Sequence, residues 1–391
     1  MPTFRSLVLS AFSLLLLSAG VAAEPIVFGQ TMPYSGPASA WSTVGKVEAA
    51  YFKMINETGG VNGRQLQLLS LDDAYTPSKT VEQTRRLVEA DNVLFMFGSL
   101  GATNQAAVQK YLNSRKVPQL FIVSGGDRWN DPENFPWTVQ LQIPFRTEAL
   151  LYAKYIQQNH PNATIAVLYQ NDDFGKDYVK GLEAGLGAAA ERMIVARASY
   201  EPTSPTVDSQ VATLASSKAT VFFNATSPKF AAQAIRKTAE LNWKTTQILI
   251  STSASIQTVL EPAGLNHSVG IISSTFRKDV SDPQWASDAS VKKYLGFMNK
   301  YMSGASAADA DNVYGYLAAQ TLVHVLQKCG QDLSRENVMK QATSISNLEL
   351  DILLPGIRLN NTADNYPPIR QLRTMRFNGT SWELFGEVLA E

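Results

Sequence analysis

Beyond an apolar opening, the chain alternates short β-rich apolar runs with longer amphipathic stretches, the rhythm of parallel sheets joined by crossover helices. The runs Ile26 to Gln30, Gln67 to Leu71, Val93 to Phe97 and Gln119 to Val123 predict strands. Between the first two, Val44, Val47, Tyr51, Met54 and Ile55 recur at helical spacing, and Gly59-Gly60 follows where a C-terminal cap belongs. These segments form one α/β unit.

A second series begins after Gln142, with strands predicted at Ile165 to Tyr169, Met193 to Ala198, Val221 to Asn224 and Gln247 to Ile250. Helical stretches lie between them at Thr147 to Gln158, Lys176 to Ala190, Val207 to Ser217 and Lys229 to Leu241. From Gly270 the pattern changes to a strand, two long helices (Ala286 to Met302 and Asp309 to Lys328) and a β-rich end at Met375 to Phe377 and Trp382 to Val388. No Gly/Ser-rich or Pro-rich linker separates the two series. The expected fold class is therefore α/β, two similar lobes in one chain that crosses repeatedly between them.

The opening residues 1–23 run from Arg5 through Leu7 to Leu17 into Val21-Ala22-Ala23, which reads as a cleaved secretory signal. Its apolar run is shorter than the roughly 20 residues that a bilayer core demands. No cysteine follows, so a lipid anchor is not expected, and the mature chain is expected free in the periplasm. Basic and acidic residues balance at 34 each, and losing Arg5 leaves one more acidic than basic residue. That balance disfavours nucleic acid as a partner. The single Cys329 cannot form an internal bridge and lies in a helical apolar run, which suggests an inert buried thiol.

Catalytic signatures are scarce. His160, His267 and His324 stand far apart, and neither H-E-x-x-H, C-x-x-C, a Walker A loop nor a strand-following G-x-G-x-x-G occurs. No metal or cofactor is expected. What stands out is a set of small, polar or glycine-containing turns directly after candidate strands: Pro33 to Pro37, Gly98 to Thr103, Ser124 to Asp127, Asn171 to Gly175 and Asn224 to Ser227. In open α/β sheets ligands bind beyond the carboxyl ends of strands, where helix N-termini offer unpaired N–H groups to an anion. Taken singly, each such turn is better explained as a helix cap.

At these residues the chain resembles the branched-chain amino acid binding protein family, the periplasmic receptors of importers for leucine, isoleucine and valine. The most specific part is a strand followed by Ser35-Gly36-Pro37, Trp41, Gly45, an amphipathic helix and Asn56-Glu57-Thr58-Gly59-Gly60-Val61-Asn62-Gly63, then Asp72-Asp73-Ala74 and Pro77. The resemblance implies a type I periplasmic binding protein fold, two doubly wound lobes joined by three crossings near Val139 to Gln142, Ser274 to Phe276 and Ile357 to Asn360. On that basis residues 24–140 and 275–357 form lobe 1, and 141–274 and 358–391 form lobe 2. The ligand is expected to be buried as the lobes close on a hinge.

Carried over by position, the resemblance implies a first-lobe pocket of Trp41, Ala102, Thr103, Gly125, Gly126 and Asp127. Phe174 takes the place of an aromatic that stacks on the ligand, and Thr226 or Ser227 lines the second lobe. The family's first-lobe disulfide positions match Tyr75 and Gly101, so both cysteines are absent together. Ser253 matches a position that carries a carboxylate for the ligand's α-ammonium in amino-acid-binding members. Serine supplies no charge, and a buried ammonium without a counter-charge costs several kcal/mol, so the expected ligand lacks an α-ammonium group. Arg128 and Trp129 beside Asp127 suit a carboxylate with an apolar body, or else lie on the rim. Asp127 itself is the alternative partner for an ammonium. The stretches Leu353 to Ile357 and Asp364 to Ile369 look like a branch that includes aromatic-acid receptors.

Three readings follow. The favoured one is a monomeric, extracytoplasmic receptor that delivers a small organic acid, aromatic or otherwise hydrophobic, to the membrane permease of an ABC importer, with a branched-chain amino acid as the alternative cargo. The second is a sensor module reporting occupancy to a signalling partner. An enzyme is the third, and nothing in the spacing of nucleophiles and bases supports it.

Overall fold

The computed structural model describes residues 23–390; the expected signal, apart from Ala23, lies outside them. The strands are β1 (Ile26–Met32), β2 (Leu66–Asp72), β3 (Met96–Phe97), β4 (Gln119–Ile122), β5 (Thr138–Gln140), β6 (Ile165–Gln170), β7 (Ile194–Tyr200), β8 (Val221–Ala225), β9 (Thr246–Leu249), β10 (Ile272–Thr275), β11 (Gln371–Phe377) and β12 (Trp382–Ala390). The helices of two turns or more are α1 (Thr43–Glu57), α2 (Pro77–Arg85), α3 (Ala102–Ser114), α4 (Phe145–Asn159), α5 (Asp173–Leu186), α6 (Asp208–Ser216), α7 (Pro228–Glu240), α8 (Ala289–Tyr301), α9 (Ala310–Cys329) and α10 (Arg335–Ala342).

Two sheets result. The first, in the order β2-β1-β3-β4-β5, is parallel throughout. The second, β12-β11-β10-β9-β8-β6-β7, is parallel from β10 to β7 and antiparallel at β10-β11-β12. Helices cover both faces, so the central strands are buried on both sides and read as continuous apolar runs: Val221, Phe222, Phe223 and Ala225 of β8 are all fully buried. The chain leaves the first sheet after β5, builds the second from β6 to β10, returns to pack α8, α9 and α10 beside the first, and ends in β11 and β12 of the second. This is an α/β fold of two lobes.

Helices α2, α3 and α10 escape the hydrophobic pattern. The buried face of α2 carries Thr80 and Thr84, and that of α3 carries Asn104, Gln105 and Gln109 among its apolar residues. Several of these polar groups pair with one another, as when the Asn104 amide donates to Thr80 Oγ1 at 2.8 Å, and their presence on the buried face breaks the apolar stripe that marks a surface helix. The strand expected over Val93 to Phe97 shortens to Met96–Phe97. The helix expected over Lys176 to Ala190 begins at Asp173 and ends at Leu186, before Gly187 at φ +56°. Among the described residues no helix is long and apolar enough to cross a membrane. Cys329 is buried at the end of α9, and burial pushes its thiol up to about 11.

Helices α1 and α9 approach closely at Gly315 of α9. A Cβ there would stand 2.7 Å from the Val44 carbonyl oxygen and 3.1 Å from Val47 Cβ on α1. Replacing Gly315 with valine forces α1 and α9 apart, with an expected loss of about 1–3 kcal/mol in a urea titration.

Candidate functional site

The carboxyl ends of the first-sheet strands point at the second lobe, and the turns beyond them build one wall of a cavity. A short 3₁₀ turn, Ser39–Ser42, ahead of α1 places Trp41 on that wall. Tyr75 reaches it from the turn after β2, where Ala74 and Tyr75 adopt positive φ. The buried Asp73 holds that turn, accepting from the Tyr75 amide at 2.9 Å and from Thr80 Oγ1 at 2.8 Å. Gly101, at φ +107°, leads into α3 and lets its backbone approach the cavity. The two positions that the family resemblance pairs as cysteines meet here: a Cβ on Gly101 would lie 3.0 Å from Tyr75 Cε2.

The opposite wall comes from the second lobe, with Phe145 at the start of α4, Phe174 at the start of α5, and Thr252. About 520 Å³ of space, adjoining solvent included, lies between them. Trp41 meets Phe174 edge-on with ring centres 6.1 Å apart, and Phe174 meets Phe145 likewise at 5.1 Å. Contacts between the lobes hold them closed: Trp41 Nε1 donates to the Thr252 carbonyl at 3.1 Å, and Ser255 Oγ donates to Asp309 Oδ1 at 3.1 Å.

Trp41, Ala102 and Phe174 thus stand on the cavity wall. Thr103 is turned to Asp172, 3.5 Å from its Oδ2. Gly125 packs against the backbone of the α4 entry, accepting from the Phe145 amide at 2.7 Å. Gly126 and Asp127 border a separate, open cleft, where Asp127 Oδ2 lies 3.9 Å from Arg146 Nη1. Arg128 pairs with Asp173 at 3.0 Å on the surface, and Trp129 is buried with its Nε1 on Ser124 Oγ. Thr226 donates to Asn224 Oδ1, Ser227 contacts Tyr200 and Gln170, and Ser253 Oγ donates to the Thr226 carbonyl at 2.5 Å. These three are buried behind the wall, and at the last of these segments it is Thr252 that reaches the cavity.

Three wall residues carry chemistry that sequence reasoning did not single out. Arg277, just past the expected crossing at Ser274 to Phe276, lines the cavity and is only 8% exposed. Its Nη1 donates to the Ala310 carbonyl at 2.8 Å, and its guanidinium lies 4.9 Å from the Phe276 ring centre and 5.4 Å from that of Tyr314. Among the described residues no carboxylate comes within the 4.0 Å of an ion pair with it, and burial lowers its pKa. Asp311 and Tyr314, in the first turns of α9, stand beside it. Burial, reinforced by Asp309 and opposed by Arg277, holds the Asp311 carboxyl well above the usual range. Asp311 Oδ2, Tyr314 Oη and Thr252 Oγ1 are buried with no hydrogen-bond partner, all on this cavity, an arrangement that asks for a bound polar group. The one sequence signal for this trio was the place of Arg277 just past an expected crossing; Asp309 opens the helix as its cap and gives no hint of Asp311 and Tyr314. Among the described residues no group of three or more His, Cys, Asp or Glu is placed to hold a metal ion.

Two lobes closed over a buried, aromatic-walled cavity define a ligand-binding protein, and the chain belongs to the periplasmic binding protein family, which it matches over residues 25–381. Membership places it among extracytoplasmic binding proteins. It is 24% identical over 367 residues to the Leu/Ile/Val-binding protein homolog 7 of Brucella suis biovar 1, covering 88% of this chain and 87% of that one. Its fold is similar to that of a branched chain amino acid ABC transporter protein from Thermus thermophilus with bound valine, at TM-score 0.83 and 14% identity, covering 94% of this chain and 97% of that one. A solute binding protein of an ABC transporter from R. palustris, in complex with benzoate, matches at TM-score 0.78 and 18% identity, with 94% and 98% covered.

The second-lobe wall rests on Glu148, fully buried one turn into α4. Its carboxyl oxygens accept from Tyr152 and Tyr178 hydroxyls at 2.6 Å each, from the Ser251 amide at 2.8 Å and from Ser274 Oγ at 2.9 Å. Glu148→Ala leaves these buried donors unpaired, and we expect a loss of at least about 3 kcal/mol in chemical denaturation, with a smaller loss for Glu148→Gln.

Proposed function

We propose that the protein is an extracytoplasmic receptor that captures a small aromatic or otherwise hydrophobic carboxylate between its lobes and presents it, as a monomer, to the permease of an ABC importer. The observation that carries this reading is Arg277, a buried guanidinium with no ion-pair partner on the wall of an aromatic cavity. A guanidinium matches a carboxylate with two parallel N–H···O bonds, and the hydroxyls of Tyr314 and Thr252 are available to the remaining lone pairs. Trp41, Tyr75, Phe145 and Phe174 suit the apolar body. That a relative of the same fold holds benzoate supports this ligand class. The lobes of this reading are residues 24–140 with 275–357, and 141–274 with 358–391. No step of it requires chemistry on the ligand.

A second reading is favoured by Asp311. An acid from α9 on the same wall supplies what Ser253 does not, a counter-charge for an ammonium, and the N-terminus of α3 would then hold the carboxylate of an amino acid. The relative with bound valine supports this alternative.

A thermal-shift screen separates the two. Aromatic carboxylates present at 100 times their dissociation constant should add about 2.7 kcal/mol of stability, while leucine, isoleucine and valine leave the melting temperature unchanged. Arg277→Met should abolish the aromatic-acid shift. A shift with the branched-chain amino acids that survives Arg277→Met and is lost in Asp311→Asn would establish the second reading instead.

A further inference from the structure

Arg277 stands on the wall of two cavities. Beyond it, away from Trp41 and Phe174, lies a second chamber of about 540 Å³, adjoining solvent included. Its walls are mostly apolar and come from both lobes, Val313 of α9 on one side and Ala254, Ile256, Met375, Trp382 and Leu384 on the other, with Lys278, Asp279, Ser274 and Thr275 also on the lining. The second-lobe wall is braced, since Trp382 Nε1 donates to the Ala254 carbonyl at 2.9 Å and its ring packs on Phe377, centres 5.5 Å apart. One buried hydroxyl on this chamber, Ser251 Oγ, has no hydrogen-bond partner.

An apolar space gives water few partners, and its lining atoms forgo the dispersion contacts that a filled core provides. A chamber that both lobes complete therefore gains most when an apolar group fills it on closure. A carboxylate held by Arg277 has an apolar space on each side. We propose that the ligand is a hydrophobic acid branched next to its carboxylate, one arm in the aromatic cavity and the other in this second chamber. The assignment rests on the reading of Arg277 as the carboxylate's partner and narrows its substrate class.

Calorimetric titration of the purified protein with phenylacetate, 2-phenylhexanoate and 4-butylphenylacetate tests it. The α-butyl acid, in one enantiomer, should bind at least about tenfold more tightly than phenylacetate, the gain expected for burying part of a four-carbon arm, and the ring-substituted isomer should not match it. Ala308→Leu fills the chamber from one lobe and Leu384→Trp from the other; both residues line it and neither is fully buried. Each variant should remove the α-butyl advantage while phenylacetate affinity changes by less than about threefold. An α-butyl acid that binds no better than phenylacetate, or an advantage that survives both fillings, overturns the assignment and leaves the carboxylate reading standing. If no acid binds the wild-type protein, both fail.

Discussion

The site depends on one buried carboxyl group. Glu148 is fully buried, and burying a carboxyl is unfavourable unless its oxygens are satisfied. Four donors from four segments meet that demand: Tyr152 on α4, Tyr178 on α5, the Ser251 amide after β9 and Ser274 in β10. Two of these segments lead directly to the cavity, Ser251 into Thr252 and Ser274 toward Arg277, while α4 and α5 begin with Phe145 and Phe174. The same bonds that make the buried carboxyl tolerable thus set the positions of the second-lobe wall and of the crossing strand. A network of this kind is stiff because no member can move without stranding another.

Against that frame, the cavity is deliberately incomplete. Tyr314, Thr252 and Asp311 each carry a buried polar atom without a hydrogen-bond partner, and Arg277 has no ion-pair partner among the described residues. Binding supplies what folding leaves out, and closure of the lobes is favoured by contacts that the ligand makes to both sides. The direct contacts between lobes, from Trp41 to Thr252 and from Ser255 to Asp309, bring the walls together, with Trp41 and Phe174 edge to face across the gap. The polar end sets one guanidinium, Arg277, beside the Asp311 carboxyl, which burial holds up.

The alternation of apolar runs with amphipathic stretches was enough to establish an α/β chain, because strands buried on both faces and helices buried on one leave different periodicities. The turn residues were equally legible: Asp72-Asp73-Ala74 and the glycines after β3 and β4 mark the ends of strands that border the cavity, and the family resemblance pointed to Trp41, Ala102 and Phe174. What the chain order could not reveal is which side of each turn faces inward. Ser253 and Thr252 are neighbours, yet the 3₁₀ turn over Ser251–Ser253 sends one into the core and the other to the cavity. Trp129 and Arg128 diverge in the same way, one into the core and one to the surface.

Tertiary structure alone assembled the polar end of the site. Arg277, Asp311 and Tyr314 look in sequence like a residue after a strand and the capped start of a long helix, and α2 and α3 hide their buried faces behind threonine, asparagine and glutamine. Their roles arise because the chain returns from the second sheet to the first and lays α9 across the crossing strand, joining segments more than a hundred residues from Trp41 and Phe174. Local periodicity records how each element meets the core. The juxtaposition of a buried charge, unpaired hydroxyls and two apolar chambers is a property of how the elements meet one another, and only the folded chain decides it.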